Sequence, residues 1–178
     1  MEDLHLIWPH RWISPKLKCF DSKIEGLGTF AVKDVKKGEI VVIVGGIIVP
    51  AHDIEKYRKK IGGHIGTQIS EKFFICPTSI DELKRTGVFN HSCSPNIGFT
   101  DSITCIAIRK IKKGEEILLD YAFMETMAPN SKKIFFKCNC GSKNCRRIIR
   151  VDDWRRKDIQ KKYGKYFSPY LKMKIKSK

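Results

Sequence analysis

The chain has 178 residues, enough for about one domain with a real core, and carries 35 Lys and Arg against 19 Asp and Glu, a formal charge of +16. Such a surplus predicts attraction to nucleic acid, an anionic membrane or an acidic protein. The longest apolar run, between Glu39 and Pro50, is too short to span a bilayer and is interrupted by Gly45 and Gly46, and MEDLHLIWPHRW lacks a signal-peptide layout. A soluble intracellular protein is therefore expected, cytoplasmic or nuclear/nucleoid, with no membrane association. The seven cysteines include a tight C-x-C-x4-C, which in a reducing compartment reads as metal binding rather than disulfides.

In chain order, residues 1–15 form a flank. From Lys16 to Val49 the short apolar runs LKCF, TFAV and IVVIV alternate with Gly, Asp and Lys punctuation and predict strands. Ile54, Tyr57 and Ile61 recur at helical spacing, so a short helix is expected over 51–61. GTQI and KFFICP predict two more strands, and SIDELKRTG opens on a serine cap and reads as one or two helical turns. The loop NHSCSPN, the strand SITCIAIRK, the turn IKKGEE and the apolar run ILLDYAF follow. AVKDVKKGEI (31–40) and AIRKIKKGEE (107–116) echo one another as strand, tight turn, strand, with Gly38 and Gly114 supplying the turn. Beyond Cys145, a cap at Asp152 or Asp153 and apolar Val151, Trp154 and Ile159 predict a helix ending near Gly164, then a tail that mixes lysines densely with aromatics. The fold class is mostly β with short helices.

KCNCGSKNC offers Cys138, Cys140 and Cys145 as three ligands on one loop, and a closed tetrahedral zinc site needs a fourth. Cys19, Cys76 and Cys105 sit in apolar strand-like runs and read as small core residues. Cys93 lies among polar, turn-forming residues and is the favoured ligand; His91, two residues away, is its rival.

IEGLGTFAV, VFNHSCSPN, KKGEEILLDYAF and KCNCGSKNC, in this order, resemble the four signature segments of SET-domain protein-lysine methyltransferases, the last being the post-SET motif. The resemblance implies a SET domain over residues 16–136, a post-SET zinc loop over 137–150 and a basic aromatic segment over 151–178. It implies a fold of several small sheets with a knot-like C-terminal threading, S-adenosylmethionine as cofactor, and one structural zinc held by Cys93, Cys138, Cys140 and Cys145. Implied cofactor contacts are Gly26, Leu27 and Gly28, then Asn90 and His91, and Phe136, which with Phe135 is placed to cover the adenine or to pack under the zinc loop. Tyr121 is the implied catalytic residue, and Phe99, Leu119 and Phe123 the implied substrate channel. The implied reaction is an in-line methyl transfer, for which the protein must align a neutral lysine amine with the sulfonium methyl and exclude water. An apolar wall at Phe99 and Leu119 anchors no water and favours more than one methyl.

Three departures from the family pattern stand out. Gly45-Gly46 replaces the usual glycine-glutamate; residues 62–76 lack the aromatic that in the family often contacts cofactor or substrate there, leaving His64 and Gln68 as candidates; and no cysteine-rich domain precedes residue 16, as expected of a minimal stand-alone member. The expected partner is a protein presenting a lysine, a histone or another DNA-associated protein, with DNA contact through the basic surface. A catalytically silent SET-fold binding module and a basic nucleic-acid-associated zinc protein are the alternatives.

Overall fold

Among the described residues, 9–63, 65–126 and 135–177 of this computed structural model, the strand punctuation resolves into five small sheets. Leu17–Asp21 and Leu27–Ala31 pair as an antiparallel hairpin. Its turn closes through Gly26, whose φ of +47° is a left-handed conformation that glycine adopts without strain. Trp12–Ile13, Ile40–Ile43, Thr104–Ala107 and Ile97–Phe99 form a four-stranded antiparallel sheet, in which Ile13, Val42, Cys105 and Phe99 stand side by side across one row. A second sheet of Ile47–Pro50, Phe73–Cys76 and Thr67–Gln68 places Thr67 opposite Ile75. Asn90–His91 runs parallel to Leu118–Leu119, so the loop NHSC and the run ILLDY, far apart in sequence, lie adjacent. Phe135–Lys137 pairs with Ile148–Arg150 and brackets the cysteine loop.

The echoed segments pair with each other about an approximate two-fold axis. Val35 and Ile111, both fully buried, exchange N–H···O=C bonds of 2.9 Å in each direction. Gly38 N–H donates to Ala107 O at 2.8 Å as Gly114 N–H donates to Ala31 O at 2.7 Å, and Ala31 N–H reaches Glu115 O as Ala107 N–H reaches Glu39 O. Gly38 and Gly114 even share their φ, +87° and +88°. The repeated K-K-G-E turn is thus the means by which each half satisfies the other's backbone.

The expected helices form at Ile54–Ile61, ended by left-handed Gly62, and at Ile80–Thr86, where the Ser79 hydroxyl accepts from Glu82 N–H. The C-terminal region departs from expectation. Asp153–Arg155 is a single 3-10 turn, the helix Lys157–Tyr163 follows it, and neither receives a side-chain cap from Asp152. The supposed tail forms another helix, Pro169–Lys176, opened by Ser168 accepting from Leu171 N–H and by Pro at its first position. Its aromatics belong to the core: Phe167 and Tyr170, with Leu171, are buried beside Trp154 and Ile159 in the cluster that also holds Phe99, Leu119 and Phe123. No helix among the described residues is long and apolar enough to cross a membrane.

Candidate active site and metal centre

Between the two larger sheets lies a cavity of about 140 Å³. Val42, Cys105 and Phe99 line it from the four-stranded row, Thr67 and Ile75 from the second sheet, and Leu119 and Tyr121 from the ILLDY segment. Its wall is mostly apolar; Arg11 and Glu125 are the charged side chains on it, and Glu125 is paired with Arg58 at 2.6 Å. At Tyr121 the wall becomes polar, because its hydroxyl donates to the Phe89 carbonyl at 3.1 Å. Burial, reinforced by the Glu25, Glu116 and Glu125 carboxylates, pushes the Tyr121 hydroxyl well above its ordinary pKa, so it is a neutral donor at any physiological pH.

The hairpin turn is fastened to this region by one carboxylate. Glu116 accepts from the Ser22 hydroxyl at 2.9 and 3.0 Å and from Asn90 Nδ2 at 2.8 Å, and the same Asn90 amide is 3.1 Å from the carbonyls of Glu25 and Leu27. A side chain at Gly28 would meet Glu116 Oε1 at 2.2 Å, whereas Gly26 has nothing within 4 Å of where a side chain would project. The turn therefore presents an open backbone edge at Gly26, held from behind. Asn96 likewise bonds the backbone of the 116–118 strand, accepting from Leu118 N–H and donating to Glu116 O, each at 2.7 Å.

His91 is 4% exposed and sits between the tyrosine and the cysteines. Its Nδ1 accepts the Tyr121 N–H at 3.2 Å, which leaves the proton on Nε2, 3.4 Å from Cys93 Sγ. Burial pushes its pKa down to about 4 in spite of nearby Asp120, so the ring is neutral. The Tyr121 and Phe136 rings flank it edge-on, with centroids 5.2 and 6.1 Å away.

The thiols of Cys93, Cys138, Cys140 and Cys145 all lie within 4.8 Å of one another, with Cys93 and Cys138 Sγ 3.9 Å apart. A tetrahedral zinc with Zn–S bonds of about 2.3 Å requires sulfurs about 3.8 Å apart, so the donor set fits that ion in number, chemistry and spacing. Main-chain N–H groups of Arg146 and Arg147 point at Cys93 and Cys145 sulfur, each at 3.3 Å, as expected around thiolates. Arg147 takes φ +64° to do so. Of the two rivals for fourth ligand, Cys93 belongs to the cluster, while His91 Nε2 reaches only the Cys93 sulfur.

Among the remaining sequence candidates, Phe99 and Leu119 line the cavity but Phe123 does not: it is fully buried against Phe167 and Tyr163, at 4.9 and 5.6 Å between centroids. Gln68 is a structural clasp, its Oε1 accepting from the N–H and hydroxyl of Thr126. His64 and the Phe135 side chain lie outside the described residues. The paired glycines answer a packing need: a side chain at Gly45 would strike the His10 carbonyl at 1.7 Å, and one at Gly46 the Cys76 carbonyl at 1.8 Å. Cys76 and Cys105 are core residues, as expected, and Cys19 is half-buried. Glu116 and Arg146 are the residues the sequence reading missed. Nothing local marks either: Glu116 is set apart only by its place in KKGEE and Arg146 only by its place after Cys145.

Residues 26–122 match the SET domain family. The human Histone-lysine N-methyltransferase 2B is 30% identical over 140 residues, 73% of this chain and 5% of that protein. The Schizosaccharomyces pombe Histone-lysine N-methyltransferase set5 is 36% identical over 105 residues, 49% of this chain and 33% of that protein. This chain thus spans a minor part of the length of these relatives. Among solved structures, the methyltransferase domain of human Histone-lysine N-methyltransferase SETMAR shares the fold, with a TM-score of 0.51 at 18% identity, covering 76% of this chain and 58% of that one. The matched stretch runs from the open glycine of the hairpin to Ala122 beside the cavity tyrosine, and on that ground the chain belongs to the SET-domain family.

Proposed function

We propose that this protein is an S-adenosylmethionine-dependent protein-lysine N-methyltransferase with one structural zinc. The observation that carries the reading is a neutral tyrosine hydroxyl, held on the Phe89 carbonyl, at the wall of a mostly apolar cavity. When bound, the cofactor supplies an electrophilic methyl on a sulfonium centre. Gly26, Leu27 and Gly28 would hold it through the open backbone edge of the hairpin, with Asn90, the His91 backbone and the Phe136 ring beside them. Phe99 and Leu119 would receive the lysine side chain, exclude water and, by desolvation, favour loss of its proton from an ordinary pKa of about 10.4. Tyr121 would orient the amine by polar contact; its raised pKa makes it unsuited to act as a base. The apolar wall leaves room for a partly methylated amine, so successive transfers are expected.

Mass spectrometry of the protein incubated with S-adenosylmethionine, alone and with histones, tests this. Fourteen-dalton steps on lysine that disappear in Tyr121→Phe support it; cofactor binding without transfer to any substrate would favour a silent module of the same fold.

A second reading concerns the partner, and the distribution of charge favours it. Residues 143–178 hold 14 of the 35 Lys and Arg but 3 of the 19 Asp and Glu. The C-terminal rings are turned into the core, with Lys162, Lys165 and Lys174 lying over Tyr163, Tyr166 and Tyr170 at 4.8–5.7 Å. The outward face is therefore lysine without free rings, which suits the phosphates of duplex DNA and not base stacking. DNA held there would also bring a basic histone to a basic enzyme that otherwise repels it. Fluorescence anisotropy with a labelled duplex of arbitrary sequence tests this; tight binding unaffected by salt, or none at low salt, would count against it.

A further inference from the structure

Tyr121 is held by its backbone at two points, and both supports lead to the cysteine cluster. Its own N–H donates to His91 Nδ1, and His91 Nε2 faces Cys93 sulfur. The next N–H, of Ala122, donates to Asp120 Oδ1 at 3.0 Å and so fixes the 3-10 turn that begins with the tyrosine. Asp120 is fully buried, and its carboxylate is gripped by both terminal nitrogens of Arg146, Nη1 to Oδ2 at 2.6 Å and Nη2 to Oδ1 at 2.7 Å. Arg146 follows the last cysteine directly. Its main-chain N–H points at Cys93 sulfur and its Nε reaches Asp153 at 3.0 Å. One residue thus joins the metal loop, the turn that carries Tyr121 and the start of the C-terminal helical segment.

We propose that Arg146 is a positioning residue: seating of the cysteine loop delivers its guanidinium to Asp120, and only then is the Tyr121 turn fixed against Phe89 and the cavity. The geometry explains why the cluster stands beside the tyrosine and not at a distant edge. A loop that opens withdraws the bidentate partner from a fully buried carboxylate and leaves it without its two charge-assisted hydrogen bonds. The Ala122 bond to Asp120 and the His91 bond to Tyr121 then lose their anchors together. A bidentate clamp needs the planar fork of arginine; the point charge of lysine cannot reproduce it. The proposal rests on the methyltransferase reading for its effect on turnover, but its structural half does not.

The test is amide hydrogen exchange resolved by NMR at Tyr121 and Ala122, whose N–H groups are the two bonds in question. Chelator-stripped wild type and metal-loaded Arg146→Met should both exchange at least about tenfold faster at these two amides, while Cys105 and Ala107 in the four-stranded sheet keep their protection. Arg146→Lys should recover the bound metal but not the protection. With an active preparation, kcat of Arg146→Met should fall by about 100-fold while cofactor affinity, measured by calorimetry, changes by less than about threefold. Unchanged exchange at both amides in stripped protein and in the metal-loaded variant would overturn the proposal, as would loss of protection that merely follows loss of metal in Arg146→Met. An inactive wild type that still shows the expected exchange would defeat the methyltransferase reading and leave the coupling standing.

Discussion

Gly28 has no left-handed backbone, yet it admits no side chain, because the carboxylate of Glu116 occupies the space a methyl would need. Gly28→Ala should displace Glu116 from Ser22 and Asn90 together and cost about 1–3 kcal/mol in denaturant titrations, with a weakened cofactor affinity as the hairpin turn loosens. Gly26→Ala should cost less, about 1 kcal/mol, since only its φ opposes the substitution. Tyr121→Phe removes the hydroxyl bound to Phe89 and should lower kcat by about 100-fold or more with cofactor affinity within about twofold, read by single-turnover methylation and calorimetry. Cys93→Ser removes the ligand that ties the loop to the body of the protein; metal content by atomic absorption should fall well below one per chain. The sequence pointed to the cysteines because three thiols within eight residues have few other uses, and the structure brings Cys93 to them. Glu116 and Arg146 were hidden because their partners, Gly28, Asn90 and Asp120, are near them only in three dimensions.

At the level of elements, the two K-K-G-E turns were readable as turns but not as partners. Glycine at the third position signals a left-handed residue, and nothing local signals what the flanking amides will bond. Val35 and Ile111 lie at the centre of the pairing, fully buried, so Ile111→Ala should cost about 2–5 kcal/mol in chemical denaturation without altering the slope of the transition. The C-terminal segment shows the opposite difficulty. Its aromatics and lysines alternate in a way that fits either a nucleic-acid platform or an amphipathic helix, and Ser168-Pro169 is the capping signal that separates the two. Phe123, a channel residue by the family resemblance, packs instead against Phe167 from this helix region.

For the molecule as a whole, the charge is divided unevenly, and the last fifth of the chain is where solution conditions should act. Duplex affinity should fall linearly in log–log form with salt, with a slope of about −4 or steeper, and Lys161→Ala, Lys162→Ala and Lys165→Ala combined should reduce that slope by about 2–3. Transfer to a free histone peptide should change little in the same variant, because these side chains are exposed and outside the cavity lining. The interlocked turns, finally, set the order in which the protein can be made. Residues 31–39 wait for 107–115, a separation worth about 4 kcal/mol of closure entropy and about 4–15 s of elongation at ordinary translation rates. The strand that places NHSC beside the tyrosine emerges from the ribosome later still, followed by the last three cysteines. A nascent chain therefore cannot assemble the Tyr121 wall of the cavity or the four-cysteine cluster until residues 118–145 have been synthesised.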